Sequence, residues 1–323
     1  MDAEQTTSDA RRTMMALRAH RRGGYEQLVY EEAPRPVPGA GEICVAVRAA
    51  SITFAELTWP ETWESDGADR TPVIPSHEFA GVVVEVGPGV TDLAVGDAVF
   101  GLVPFNRNGA AAEFVVVPEE FVARKGPTVS DAEAAAAALP ALTAWEALND
   151  QLNVTAGQRI LIRGGTGGVG AFLTQFAHRL GAEVTVTVTS VAAEDRARRL
   201  GADHVIVAGS ESDARNRGAF DAAIDAVGAD LPEWLYASVR PGGRVVALQE
   251  PPSRELADEY GVTASFFVVR VDRARLEELA GLLAAGQIEA AIAQTFPLSD
   301  GRAAYASGAL PKPAPGKTIV LVS

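Results

Sequence analysis

A chain of 323 residues with 47% hydrophobic composition can bury a sizeable core, and its length suits one large domain or two ordinary ones. Its 28 basic and 42 acidic residues give a formal charge of -14, which opposes general attraction to nucleic acid or to anionic lipid. The single cysteine, Cys44, excludes an internal disulfide framework and a cysteine-rich zinc lobe, and it suits a reducing, cytoplasmic setting.

Residues 1–13, MDAEQTTSDARRT, are polar and lead into no long apolar run, so they read as a mobile tail. Arg11 and Arg12 do not make a twin-arginine export signal, because the following MMALRAHRRGGYEQ is charged. From Met15 to Val122, short β-branched runs such as ICVAVRAAS, HEFAGVVVEVGPGV and AAAEFVVVP alternate with Pro and Gly turns, the pattern of a compact β domain. After Ser130 the segment DAEAAAAALPALTAWEALND favours helix, with Pro140 expected to kink or divide it. From Gln158 onward strand and helix alternate, which predicts a parallel sheet with helices on both faces. The tail adds an expected strand TASFFVVRV, a helix RARLEELAGLLAAG and a final strand KTIVLVS.

The segment RILIRGGTGGVGAFLTQFAHRLGAEV places a GxGxxG pattern directly after a predicted strand and at the start of a helix. Gly165 would permit a tight turn, Gly167 would let the backbone approach a pyrophosphate, and Gly170 would let the helix pack against the sheet. A helix N-terminus then offers free N–H groups and the positive dipole end to phosphate. About twenty positions beyond Gly170, where an acid would hold the ribose of NAD, stand Thr189 and Ser190. Two small hydroxyls can hydrogen-bond a 2′-phosphate and Arg196 can neutralise it, so the expected cofactor is NADPH. Glu194 and Asp195 are more simply first-turn helix acids.

Taken together, EEAPRPVPGAGE, ICVAVRAAS, IPSHEFAGVVVEVGPGV, VGDAVFG, ALPALTAWEAL and RGGTGGVG resemble the medium-chain dehydrogenase/reductase superfamily, most closely its zinc-free quinone oxidoreductase and enoyl reductase branch. The resemblance implies an α/β architecture: a GroES-like substrate domain over 14–125 and 287–323, and a Rossmann doubly wound domain over 126–286, with the active site in the cleft between them. It also implies cofactor contacts from Thr143, Thr166, Gly168 and Val169, and a nicotinamide side lined by Asp225–Gly228 with Val227, by Leu248, by Phe266, Phe267 and Val268, and by Lys317. In metal-dependent relatives three ligands fall where this chain has Thr53, His77 and Leu139. Only His77 could ligate, whereas a catalytic zinc normally has three protein ligands, so zinc is not expected. His77 and Glu78 then read as a packing or hydrogen-bonding pair.

Loss of zinc redirects the chemistry. Hydride delivered to an enone, an enoyl thioester or a quinone spreads charge that hydrogen-bond donors can stabilise without a metal. Thr53 and Thr58 are candidate donors, although a threonine hydroxyl is a poor general acid. Relatives often carry Asn at Thr53 and a tyrosine near Thr58. Phe54, Glu56, Trp59 and Trp63 are candidate pocket walls. Two further departures are Ala193 and Ala208, where relatives carry a basic residue and a tyrosine near the cofactor. The expected activity is NADPH-dependent reduction of a quinone or an activated double bond. Alternatives are zinc-free carbonyl reduction on the same fold, or a non-catalytic NADPH-binding sensor or structural protein. The family often pairs subunits through the equivalent of residues 263–271, which implies a homodimer; no nucleic-acid or membrane partner is expected.

Overall fold

Short β-branched segments cannot satisfy their backbone groups alone, and those of the N-terminal third pair into sheets. The computed structural model describes residues 13–207, 218–228, 231–309 and 315–323. The tail expected over residues 1–13 therefore lies, up to residue 12, outside the described residues, as does Ala208; Thr13 already opens the first strand. Strands β1 (Thr13–Ala19) and β2 (Leu28–Pro34) form an antiparallel pair. The long β3 (Glu42–Ile52) leads into a 3-10 turn at Phe54–Thr58, the short helix α1 (Pro60–Trp63) and a small hairpin of β4 (Glu64–Ser65) and β5 (Ala68–Asp69). Strands β6 (Glu78–Val86), β7 (Ala98–Leu102), β8 (Phe114–Pro118) and β9 (Val122–Arg124) follow.

Helix α2 (Asp131–Glu146) runs unbroken through Pro140, so the expected division at that proline does not occur. A reciprocal cap starts the helix: Ser130 and Glu133 exchange side-chain-to-backbone hydrogen bonds at 3.0 and 3.2 Å. Residues Ala134–Ala138 are fully buried, and their packing offsets the one intrahelical hydrogen bond that proline forfeits. A π-turn at Ala147–Gln151 closes the segment.

The alternating region then folds as read. Strands β10 (Arg159–Arg163), β11 (Glu183–Val188), β12 (His204–Val207), β13 (Phe220–Asp225), β14 (Val239–Ala247) and β15 (Thr263–Phe266) are all parallel to their neighbours, in the order β12-β11-β10-β13-β14-β15. They are joined by helices α3 (Gly168–Arg179), α4 (Glu194–Arg199), α5 (Glu233–Ser238) and α6 (Arg254–Tyr260). Leu161, Ala223 and Val245 share one core with Leu235, Tyr236 and Ala257 of α5 and α6. Their neighbours Ile160 and Ile162 are also fully buried, and strand alternation turns them to the other face, where α3 packs on β10 and β11. Strand order reverses between β10 and β13, the switch point at which such sheets take ligands. The expected strand TASFFVVRV stops at Phe266, and residues 267–272 carry no strand pairing.

The chain finishes with α7 (Arg273–Ala284), β16 (Ile292–Pro297), α8 (Gly301–Ala306) and β17 (Lys317–Leu321). β17 lies antiparallel to β3, giving a seven-stranded sheet ordered β16-β17-β3-β6-β7-β9, with β8 also paired to β3. Its core gathers Leu17, Ile43, Val45, Trp63 and Phe79. By contact the chain divides into two units: the residues up to Leu139 together with those from Val271 onward, and Pro140–Arg270.

Candidate functional site

In the parallel-sheet unit the glycine turn follows β10 directly. The left-handed residue is Gly164, with φ of 84°, so the tight turn that the sequence assigns to Gly165 belongs one residue earlier. Gly165 is required for a different reason: a Cβ there would stand 2.4 Å from Val186 Cβ of β11. A Cβ on Gly170 would stand 1.9 Å from the Gly164 carbonyl oxygen, so α3 approaches the turn as closely as only glycine permits. Gly167 caps α3 without any side-chain hydrogen bond, and a Cβ there would meet its nearest protein atom at an ordinary 3.5 Å. The protein itself leaves room at Gly167, so no protein atom enforces glycine there. Gly168 and Val169 make the first turn of this 12-residue helix, and Thr166, just before it, is buried. This backbone cradle fits a dinucleotide pyrophosphate.

Sequence reasoning missed Thr174, and it named Asp225 only as a wall of the nicotinamide side without its partner Arg163. Thr174 Oγ1 donates toward the carbonyls of Gly165 and Gly170, each at 2.9 Å, tying helix to turn. Buried Asp225 accepts from the Arg163 guanidinium at 3.2 Å and from the backbone N–H groups of Val227 and Gly228. Burial is the larger influence on its carboxyl and raises its pKa despite Arg163. Arg163 and Asp225 are direct neighbours across β10 and β13, a register that no local motif announces. At the end of β11, Thr189 and Ser190 are exposed, and Arg196 stands half-buried in α4 with Glu194 and Asp195 in its first turn. Val227 is 53% exposed beside the turn, with Leu248 half-buried after β14. Phe266 and Val268 are exposed and Phe267 half-buried at the end of β15; Thr143 lies on α2.

In the other unit, strand pairing assembles a buried polar cluster. Thr318 pairs with Ile52 and Ser51 with Glu78, so the ends of β17, β3 and β6 converge. The Lys317 ammonium lies 2.8 Å from Glu78 Oε2 and donates to Thr53 Oγ1 at 2.9 Å. Burial nonetheless keeps the Glu78 carboxyl above its usual pKa, outweighing the neighbouring ammonium. Next to it, fully buried Glu56 accepts from the Ser76 backbone N–H at 2.9 Å and from the Tyr305 hydroxyl of α8. Burial pushes the Glu56 pKa up to about 7, with the Glu78 charge adding to it. His77 Nε2 is 3.8 Å from Glu56, and burial lowers the imidazole to about 4, so it is neutral at pH 7. His77 and Glu78 thus do not pair with each other; His77, just before β6, faces Glu56, and Glu78, which opens the strand, faces Lys317.

The structure separates the expected pocket walls. Phe54 and Thr58 line a cavity of ≈ 340 Å³ together with Arg22, Tyr25, Leu57 and Tyr305. Thr58 Oγ1 donates to the Ala55 carbonyl at 2.6 Å. Trp59 instead stacks on His77, with Phe105 edge-on to both. Trp63 is buried with its indole N–H on the Leu57 carbonyl, and Glu56 points into the polar cluster. Tyr305 and Lys317 enter from far along the chain, which is why the motif around Thr53 alone did not reveal their contacts.

The residues at the three metal-ligand positions can be tested directly. The Thr53 hydroxyl faces an ammonium, Leu139 offers no donor atom, and His77 alone remains. Among the described residues no three His, Cys, Asp or Glu side chains converge as a ligand set. This donor set does not fit a catalytic zinc. Among the described residues no helix is long and apolar enough to cross a membrane.

Two family models match the chain: the alcohol dehydrogenase GroES-like domain over residues 39–127 and zinc-binding dehydrogenase over 200–320. A 2-haloacrylate reductase from Burkholderia sp is 28% identical, covering 90% of this chain and 94% of its own length. A mycocerosic acid synthase-like polyketide synthase of Mycobacterium tuberculosis is 37% identical over 63% of this chain, which spans only about a tenth of that protein. Among solved structures, a quinone oxidoreductase from Pseudomonas syringae pv. Tomato superposes with TM-score 0.85 at 27% identity, over 95% of this chain and 99% of that one. A cobalt- and zinc-bound thermostable alcohol dehydrogenase from Pyrobaculum aerophilum does so with TM-score 0.83 at 26% identity, over 96% and 99%. With a GroES-like unit, a Rossmann-type parallel sheet and its glycine turn all in place, this chain belongs to the medium-chain dehydrogenase/reductase superfamily, a family of oxidoreductases.

Proposed function

We propose that the protein is an NADPH-dependent, zinc-independent reductase that transfers hydride to an activated carbon–carbon double bond or a quinone. The observation that carries the metal-free reading is the Lys317 ammonium on the Thr53 hydroxyl, at the position where metal-dependent relatives hold a ligand. NADPH when bound supplies the hydride and a hydrogen-bonding site stabilises the resulting anion. The cradle of residues 164–170 holds the pyrophosphate by its backbone, while Thr189, Ser190 and Arg196 meet the 2′-phosphate. The activated double bond is the favoured acceptor, because the relative matched over nearly its whole length is named for reducing a 2-haloacrylate. The quinone is supported by the likeness to the Pseudomonas quinone oxidoreductase. The protein works in the cytoplasm as a homodimer paired through the 263–271 region, where β15 ends its sheet.

The test is NADPH oxidation, followed at the nicotinamide absorbance, with 2-haloacrylates, enoyl thioesters, enones, quinones and aldehydes, each with NADH and with a chelator in parallel. Turnover of alkenes or quinones that prefers NADPH and ignores chelator is expected. Turnover of aldehydes alone moves the reading to carbonyl reduction, chelator sensitivity ends the metal-free reading, and tight NADPH binding with no turnover makes the protein a sensor.

A further inference from the structure

We propose that Lys317 is a positioning residue for the reduction, acting through Thr53 as the fixed positive charge that stabilises the anion formed on the substrate. The inference rests on the reductase reading above. Lys317 is 9% exposed and its ammonium is pinned between Glu78 Oε2 at 2.8 Å and Thr53 Oγ1 at 2.9 Å. Such placement is set by backbone pairing, since Thr318 is held opposite Ile52 and Glu78 opposite Ser51. Glu78 is 1% exposed, so it anchors the ammonium without competing solvent. Thr53 is half-buried, the most open of the three side chains. Its oxygen accepts from the ammonium, which polarises the hydroxyl and makes its hydrogen a stronger donor; that hydrogen rests on the Glu78 carboxyl and turns from it to an incoming oxygen.

The chemistry balances without any metal. A hydride that NADPH would release with the electron pair of its C–H bond, leaving NADP, bonds to the β-carbon, and the π pair of the double bond moves to the α-carbon and its conjugated carbonyl oxygen. The Thr53 hydroxyl donates a hydrogen bond to that enolate oxygen while the ammonium behind it offsets the charge. A proton from water then bonds to the α-carbon, and neither Lys317 nor Thr53 loses one. Because the charge exists only after hydride transfer, the interaction lowers the barrier more than it aids ground-state binding. It therefore acts on kcat more than on KM.

The experiment compares K317M, K317R, T53V and T53S with the parent, using whichever acceptor the parent turns over. Loss of about a hundredfold in kcat is expected for K317M and T53V, the scale of removing one oxyanion donor. K317R and T53S should recover most of the loss, with little change in KM or in the NADPH dissociation constant read by fluorescence. A second readout needs no turnover: 4-nitrophenol titrated in the presence of NADP and protein should ionise at lower pH than free 4-nitrophenol, and K317M should abolish that absorbance shift. If K317M fails to fold, T53V and K317R carry the same comparison. A raised NADPH dissociation constant with kcat intact would make Lys317 a cofactor ligand and overturn the inference, as would 4-nitrophenol spectra identical in parent and K317M. Parent turnover that K317M leaves intact removes this inference alone, whereas no turnover of any acceptor by the parent removes the reductase reading and this inference with it.

Discussion

The glycine turn is built from the backbone of residues 164–170, whereas the charge cluster joins side chains as far apart as Thr53 and Lys317, 264 positions along the chain. The difference is one of what enforces residue identity. At the turn, steric contact of the backbone with itself admits glycine and nothing else at Gly170, so the letter announces the geometry. In the cluster, each charge is acceptable only because a distant partner is delivered to it by strand register, and the same Lys or Glu would be ordinary on a solvated surface.

The largest expected effect comes from breaking the backbone half of this comparison. In G170A the new Cβ would meet the Gly164 carbonyl at 1.9 Å, so turn and helix must separate, a cost of at least ~1–3 kcal/mol with loss of NADPH binding. G167A meets protein only at 3.5 Å and should unfold in urea with the parent's midpoint while still losing NADPH affinity. Equal midpoints for G170A and the parent would show that the close approach is not needed for folding.

That contrast also explains how much was legible. The alternating strands, the helix-start glycines and the parallel character of the sheet follow from period and turn chemistry, which are local, whereas the order of its strands is known only from the fold. Gly164 escaped because a positive φ leaves no mark distinguishing it from Gly165. Pro140 misled because helix breaking is a propensity, overridden here by the burial of Ala134–Ala138. Glu56 looked like a pocket wall and faces Tyr305 and Ser76 instead, contacts that exist only once α8 and the Ser76 segment are packed.

An intermediate effect sharpens the side-chain half. Glu56 is raised from 4.5 to about 7, so the folded protein holds a proton that the unfolded chain releases between those values, and stability falls as pH rises from 4.5 to 7. His77 is lowered from 6.5 to about 4, so the unfolded chain takes up a proton that the folded one refuses, and stability grows as pH rises from 4 to 6.5. Each effect is roughly 3 kcal/mol and their signs oppose, which leaves this pair's combined contribution nearly flat over the shared window. Urea unfolding from pH 4 to 7 should therefore show a steeper decline with rising pH in H77N than in the parent, and a gain in E56Q. The same slope in all three proteins would mean that neither group titrates in the folded state as its burial dictates.

The smallest effect tests the least enforced part of the turn's surroundings. Ser190 is exposed and Arg196 half-buried, so any contact with a 2′-phosphate there is made largely in water and screened by salt. Replacing Arg196 with Gln should lower the preference for NADPH over NADH by about 1 kcal/mol, roughly fivefold, at low ionic strength, and by less as salt is added. The weakening should fall on NADPH, because NADH has no phosphate for the guanidinium to meet. Matched fluorescence titrations with the two cofactors separate the cases: equal weakening of both would make Arg196 a support for α4, and no change in either would leave selection to Thr189 and Ser190. The turn itself is blind to this choice, since its backbone N–H groups meet a pyrophosphate that both cofactors share.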